Sequence, residues 1–138
     1  MSSELTFNRY GKSRIRLMKL RRDPHELVDL TIDVQLEGAF GAVFTDGDNR
    51  VCIATDTMKN TVYALARQDP IAHVESFALR LADHFAAKPA VSRVRISAAL
   101  RQVFGRAATR RRCPGGDRAR LLRGDAAAVR ADLRIGAD

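Results

Sequence analysis

The fold class the 138-residue sequence predicts is α+β, an antiparallel sheet with two helices on one face. Three observations carry that prediction. Two N-terminal segments alternate apolar and polar residues with a period of two, and two central segments repeat apolar residues at helical spacing. Strand-like alternation then returns at residues 91–100. The length suits one domain, with room for a real core but not for two full ones.

Residues 9–22 set Ile15 and Leu17 against Arg14 and Arg16, as a half-buried strand does. Asp23, Pro24 and His25 read as a turn, since proline fixes φ and aspartate can bond the following backbone. Val28, Leu30, Ile32, Val34 and Leu36 then alternate with Asp29, Thr31, Asp33, Gln35 and Glu37, giving one dry and one wet face. Residues 38–44 are expected to continue extended, with Asp46-Gly47-Asp48-Asn49 as a hairpin turn into a strand over Arg50–Ala54. Met58, Val62 and Leu65 mark a helix, with Thr55 or Asp56 as its N-cap. Asp69-Pro70 reads as a second helix start. Its stripe is Ile71, Val74, Phe77, Ala78, Leu81 and Phe85, with Glu75, Arg80, Asp83 and His84 outward and Pro89 as the stop. Val91–Leu100 makes the last strand.

From Arg101 onward the pattern changes. The segment has no lysine, one aromatic residue in Phe104, and repeated glycines. The expected organisation is therefore a unit at 8–100 and a poorly ordered basic tail at 101–138, at most weakly helical near Ala126–Leu133 and offering the sheet no closing strand. The net charge of +8 lies mostly in that tail: residues 1–100 hold 14 Lys and Arg against 12 Asp and Glu, residues 101–138 ten Arg against four Asp. Arg110-Arg111-Arg112 would suit a nucleic-acid-binding module, the alternative reading, but stacking aromatics and a reading motif do not accompany it. No apolar run is long enough to span a bilayer, and the N-terminus has no secretory pattern. The last residues are not a peroxisomal address, so the cytoplasm is the expected location. Cys52 and Cys113 cannot alone form a disulfide framework or a zinc site.

Ile53–Thr61 gathers hydroxyls, a carboxylate and an amine where extended chain runs into a helix, a place suited to a small anion. Read locally, Thr55-Asp56 is simply a helix cap. The wider set of motifs says more. Tyr10-Gly11-Lys12 before a basic strand, Leu36-Glu37-Gly38, Thr45-Asp46-Gly47-Asp48-Asn49, Ala54-Thr55-Asp56-Thr57-Met58-Lys59-Asn60-Thr61 and the Phe77 to His84-Phe85 helix occur in this order. Together they resemble the N-terminal half of the urate oxidase (uricase) family, over about residues 8–97.

That resemblance implies the tunnelling fold (T-fold), two tandem ββααββ units per chain assembled as a homotetramer whose sheets close into a barrel. It implies oxidation of urate by molecular oxygen to 5-hydroxyisourate and hydrogen peroxide in purine degradation, with no metal or organic cofactor. Lys12 and Thr55 would be two members of a catalytic proton-relay triad. Thr55 and Asp56 would bind substrate, Asp56 through its backbone. The stacking Phe, the Arg and Gln that grip the purine and the triad histidine belong to the family's second unit, and His25, His73 and His84 match none of these positions. The expectation is a chain truncated or frame-shifted after about residue 100, with little or no turnover alone. Pterin synthases share the broad fold but use a three-histidine zinc site, whose spacing these histidines do not reproduce.

Overall fold

The computed structural model describes residues 5–22, 25–101 and 127–134. Three strands, β1 (Tyr10–Arg22), β2 (His25–Gly38) and β3 (Val91–Arg101), form an antiparallel sheet in that order, and β4 (Ala127–Arg134) adds to β3. Between β2 and β3 come a short α1 (Gly41–Thr45), then α2 (Thr55–Gln68) and α3 (Val74–Ala86).

The register shows why the period-two segments form one sheet. Leu17 faces Leu30, Ile15 faces Ile32, Ile32 faces Ala98, Val34 faces Ile96 and Leu36 faces Val94, so the buried apolar residues of these strands fall on one surface. Onto it α2 packs Met58, Val62 and Ala66 beside β1, and α3 packs Phe77, Ala78, Leu81, Ala82 and Phe85 against β3. Each large side chain buried here contributes about 1.5–3 kcal/mol. The other surface carries ion pairs, Arg9 to Glu37 at 2.8 Å, Arg93 to Glu37 at 3.8 Å and Arg16 to Asp29 at 3.1 Å, and exposed Met18, Leu20 and Leu27 toward the β1–β2 connection. Asp29 is only 2% exposed although it lies on this surface, and its carboxylate is satisfied by the Arg16 guanidinium.

Several local expectations are corrected. Residues 41–45 are helical, not extended: the Thr45 hydroxyl donates to the Gly41 carbonyl, and the amides of Asp46 and Asp48 both donate to that of Ala42. Asp46–Asn49 therefore closes α1 through Gly47 (φ 68°) instead of forming a hairpin, and no strand follows over Arg50–Ala54. Asp69 does not start α3. Its amide closes α2 on Leu65, and its carboxylate accepts from the Ile71 N–H at 2.7 Å and from Arg80 at 3.2 Å, so α3 begins only at Val74. Ala127–Arg134 is a strand paired with Arg93 to Leu100, not a weak helix, and supplies a neighbour for β3 that the sequence did not suggest. The turn at Asp23-Pro24, and Phe104, Arg110–Arg112 and Cys113, lie outside the described residues.

Gly11 and Gly38 show where backbones touch. A Cβ on Gly11 would lie 1.8 Å from the Val34 carbonyl oxygen, whereas one on Gly41 meets nothing within 4 Å. Backbone cannot rotate aside as a side chain can. Gly11→Ala is expected to destabilise the fold by at least about 2 kcal/mol, and Gly41→Ala to change it by less than about 0.5 kcal/mol. Urea unfolding midpoints measure both, and equal midpoints would show that the close approach at Gly11 does not exist.

Candidate active site at the β1 to α2 junction

A bulge sets the geometry. Lys12 pairs with Val34 and Ile15 with Ile32, so Ser13 and Arg14 together stand opposite Asp33 alone. Arg14 is forced to φ 56°, a conformation costing an L-residue roughly 1–2 kcal/mol. Its amide is held by the Asp33 carboxylate at 2.7 Å. The consequence is a change of face. Unbroken alternation back from Ile15 would put Tyr10 and Lys12 with Arg14 and Arg16 on the polar side. The extra residue instead places them across from buried Leu36 and Val34, on the helix side.

Three ties align α2 along β1. The Tyr10 hydroxyl accepts the Ile53 N–H at 2.8 Å, the Tyr63 hydroxyl donates to the Arg16 carbonyl at 2.9 Å, and Lys19 Nζ donates to the carbonyls of Ala66 and Asp69. Helix and strand therefore run in the same direction, starting together at Tyr10 and Ile53. A strand rises about 3.3 Å per residue and a helix about 1.5 Å. Lys12, two residues past Tyr10, is thus level with the first turn of α2.

That turn is open. The N-cap is Ala54, not Thr55 or Asp56, and it makes no side-chain cap hydrogen bond. The first amide bonded within the helix is that of Met58, to the Ala54 carbonyl at 3.1 Å. The N–H groups of Thr55, Asp56 and Thr57 are left without helical acceptors, at the positive end of the helix dipole. Asp56 sits in this first turn and pairs with Lys59 at 3.6 Å. Thr55 lies on the same stripe as Met58 and Val62, three and seven residues on, yet it is exposed: the core stripe surfaces there.

The structure thus brings Lys12, Thr55 and Asp56 to one side of the sheet and one level of α2. It does not bring Lys12 into contact with Thr55; no hydrogen bond or ion pair joins them among the described residues. Two further side chains belong to this place and were not singled out as site residues from the sequence. Tyr10 packs edge-to-face on Phe40, with centroids 4.8 Å apart. Burial pushes its hydroxyl up to about 12, the Ile53 N–H acting in the opposite sense and the adjacent Cys52 reinforcing the rise. The available signal was position, a tyrosine directly before Gly-Lys, since a buried phenol needs a polar partner.

Other features lie elsewhere. A shallow groove lined by Leu17, Lys19, Tyr63 and Arg67 sits beside the middle and end of α2 and includes none of the three candidates. His73 caps α3 and His84 lies in its last turn, about 16 Å along the helix axis, too far apart to share a metal ion.

A sequence profile described as Uricase matches residues 8–104, more than half of the chain. The uricase of Arthrobacter globiformis is 52% identical over 80 residues, covering 56% of this chain and 26% of the relative. That of Aspergillus flavus is 38% identical over 84 residues, covering 58% and 28%. The crystal structure of Arthrobacter globiformis uricase superposes with a TM-score of 0.68 at 44% identity, over 72% of this chain and 36% of that one. A uricase from Bacillus fastidious superposes with a TM-score of 0.59 at 25% identity, over 67% and 36%. The chain spans about a quarter to a third of the length of the curated relatives it matches.

The raised Tyr10 pKa is open to direct measurement. The chain has two tyrosines, and a phenolate titration followed by absorbance should show a phase near pH 12 that disappears in Tyr10→Phe. The native state binds this proton more tightly than the unfolded chain. The contribution to stability is therefore full below pH 10 and is lost as pH rises from about 10 to about 12. A Tyr10 phase at the ordinary phenol value would mean that the hydroxyl is not buried as described.

Proposed function

The chain belongs to the uricase family, and on that premise we propose that it carries the Lys12, Thr55 and Asp56 side of a site that oxidises urate with molecular oxygen. One observation supports the reading: the Ser13–Arg14 bulge sets Lys12 across from buried Val34, on the sheet face that carries α2, whose first turn bears Thr55 and Asp56. An amine, a hydroxyl and backbone donors without helical acceptors then border one space. That combination suits a flat anion that must lose protons before it can give up electrons.

In the proposed mechanism the N–H groups at the start of α2, Asp56 among them, hold an anionic edge of urate. The Thr55 hydroxyl takes a proton from urate as it passes its own to the Lys12 amine, leaving the purine electron-rich, and the same relay returns that proton to the reduced oxygen. Two electrons and two protons go from urate to oxygen, giving hydrogen peroxide, and water adds to the oxidised purine to give 5-hydroxyisourate. Among the described residues no hydrogen bond or ion pair joins Lys12 to Thr55. We therefore place the working contact in a homo-oligomer, where another copy or the bound substrate closes the gap. The family resemblance implies purine-gripping residues in a second unit, beyond the matched residues 8–104, so little turnover is expected from this stretch alone. The nucleic-acid alternative rests on Arg110–Arg112, and the arginines in place on the sheet's polar face are largely engaged by acids of that face.

Replacing the matching segment of the Arthrobacter globiformis uricase with residues 8–101 tests the proposal. The chimera is expected to consume urate, and Lys12→Met or Thr55→Val within it to lower kcat by about 10²-fold or more. A chimera that folds and assembles but is inactive, or variants that keep the full rate, would rule the reading out.

A further inference from the structure

We propose that Tyr10 is the positioning residue of this site: its hydroxyl, carried on β1, fixes the backbone at Ile53 and thereby sets where Thr55 and Asp56 stand relative to Lys12. The inference deepens the urate reading and rests on it for the identity of what is positioned.

The segment from Asp46 to Ala54 is irregular, and its own hydrogen bonds are local. Asp48 pairs with Arg50, and the Cys52 amide donates to the Asn49 carbonyl at 3.0 Å. The Tyr10 hydroxyl ties this segment to the sheet, accepting the Ile53 N–H with the Cys52 thiol beside it, while the Ile53 side chain packs against the core. Two residues later α2 begins without a side-chain cap, so no side chain of the cap position fixes its first amides.

The anchor is closely packed where the segment is irregular. The Tyr10 ring stacks on fully buried Phe40, and the next residue, Gly11, is pressed against the Val34 carbonyl so closely that no Cβ fits. Tyr10 is also across from Leu36 in the same register that places Lys12 across from Val34. One strand therefore carries both the amine and the group that locates its partner. A phenylalanine would keep the ring contact but leave the Ile53 N–H facing an apolar edge with no acceptor.

Amide exchange and urate titration of the full chain, followed residue by residue by NMR without oxygen, test this. Tyr10→Phe is expected to speed exchange at Ile53 by about fivefold or more, the loss of one hydrogen bond, and to shift the Thr55 and Asp56 amide signals. Leu30, Ile32 and Val62 should keep their rates. Leu100→Ala, which loosens the sheet away from the junction, should leave Ile53 exchange unchanged relative to the core. With urate added, the wild-type Asp56 and Thr57 amides should shift, and Tyr10→Phe should weaken that binding about threefold or more. Unchanged Ile53 exchange in Tyr10→Phe, or equal acceleration by Leu100→Ala, overturns the proposal. So does undiminished urate binding despite faster exchange. A wild-type chain that shows no urate shifts defeats the urate reading, while Ile53 exchange still decides whether Tyr10 holds the junction.

Discussion

A single extra residue in β1 decides what the rest of the site can be. Ser13 and Arg14 share one position opposite Asp33, and the strand's alternation reverses at that point. On one side of the bulge Ile15 and Leu17 feed the core, and on the other Tyr10 and Lys12 come to the same surface. The strained Arg14 backbone is stabilised by the Asp33 carboxylate on its amide. Register is locked on both sides by buried cross-strand pairs, so the bulge cannot slide without turning a whole row of apolar side chains into water.

The placement of α2 follows from β1 as well. Tyr10, Arg16 and Lys19 meet Ile53, Tyr63 and the Ala66 to Asp69 carbonyls in sequence along the strand. Lys19 lies across from Val28 on the helix side and satisfies carbonyls that the end of α2 leaves unpaired. The helix end near Lys19 is therefore closed, while its beginning near Lys12 has free donors and an exposed Thr55. This asymmetry leaves the polar chemistry at the N-terminal end of α2. It also fits a chain that matches a uricase profile and the corresponding portion of solved uricases.

Much of this was legible in the sequence, and the failures share a cause. The clean alternation of β2 and the stripes of α2 and α3 depend on burial, which periodicity reports directly. The motif residues Lys12, Thr55 and Asp56 were recognisable by type and order. The bulge was not, because Arg14 has no local signature of a positive φ; a carboxylate from the next strand stabilises it. Val43 and Phe44 read as extended chain because they favour strands, yet bonds from Thr45, Asp46 and Asp48 wind them into α1. Asp69 had the type of an N-cap, but Ile71 and Arg80 take its carboxylate first. β4 is alanine-rich and has little strand propensity of its own; its pairing with β3 is a tertiary effect.

The central claim, that the bulge turns Lys12 toward the helices, is tested most directly by nuclear Overhauser contacts from the Lys12 side chain. Cross-peaks from its methylenes to the Val34 methyls, and none to the Gln35 side chain, are expected. Contacts to Gln35 and the polar-face arginines, with none to Val34, would put the amine on the other side of the sheet and contradict it.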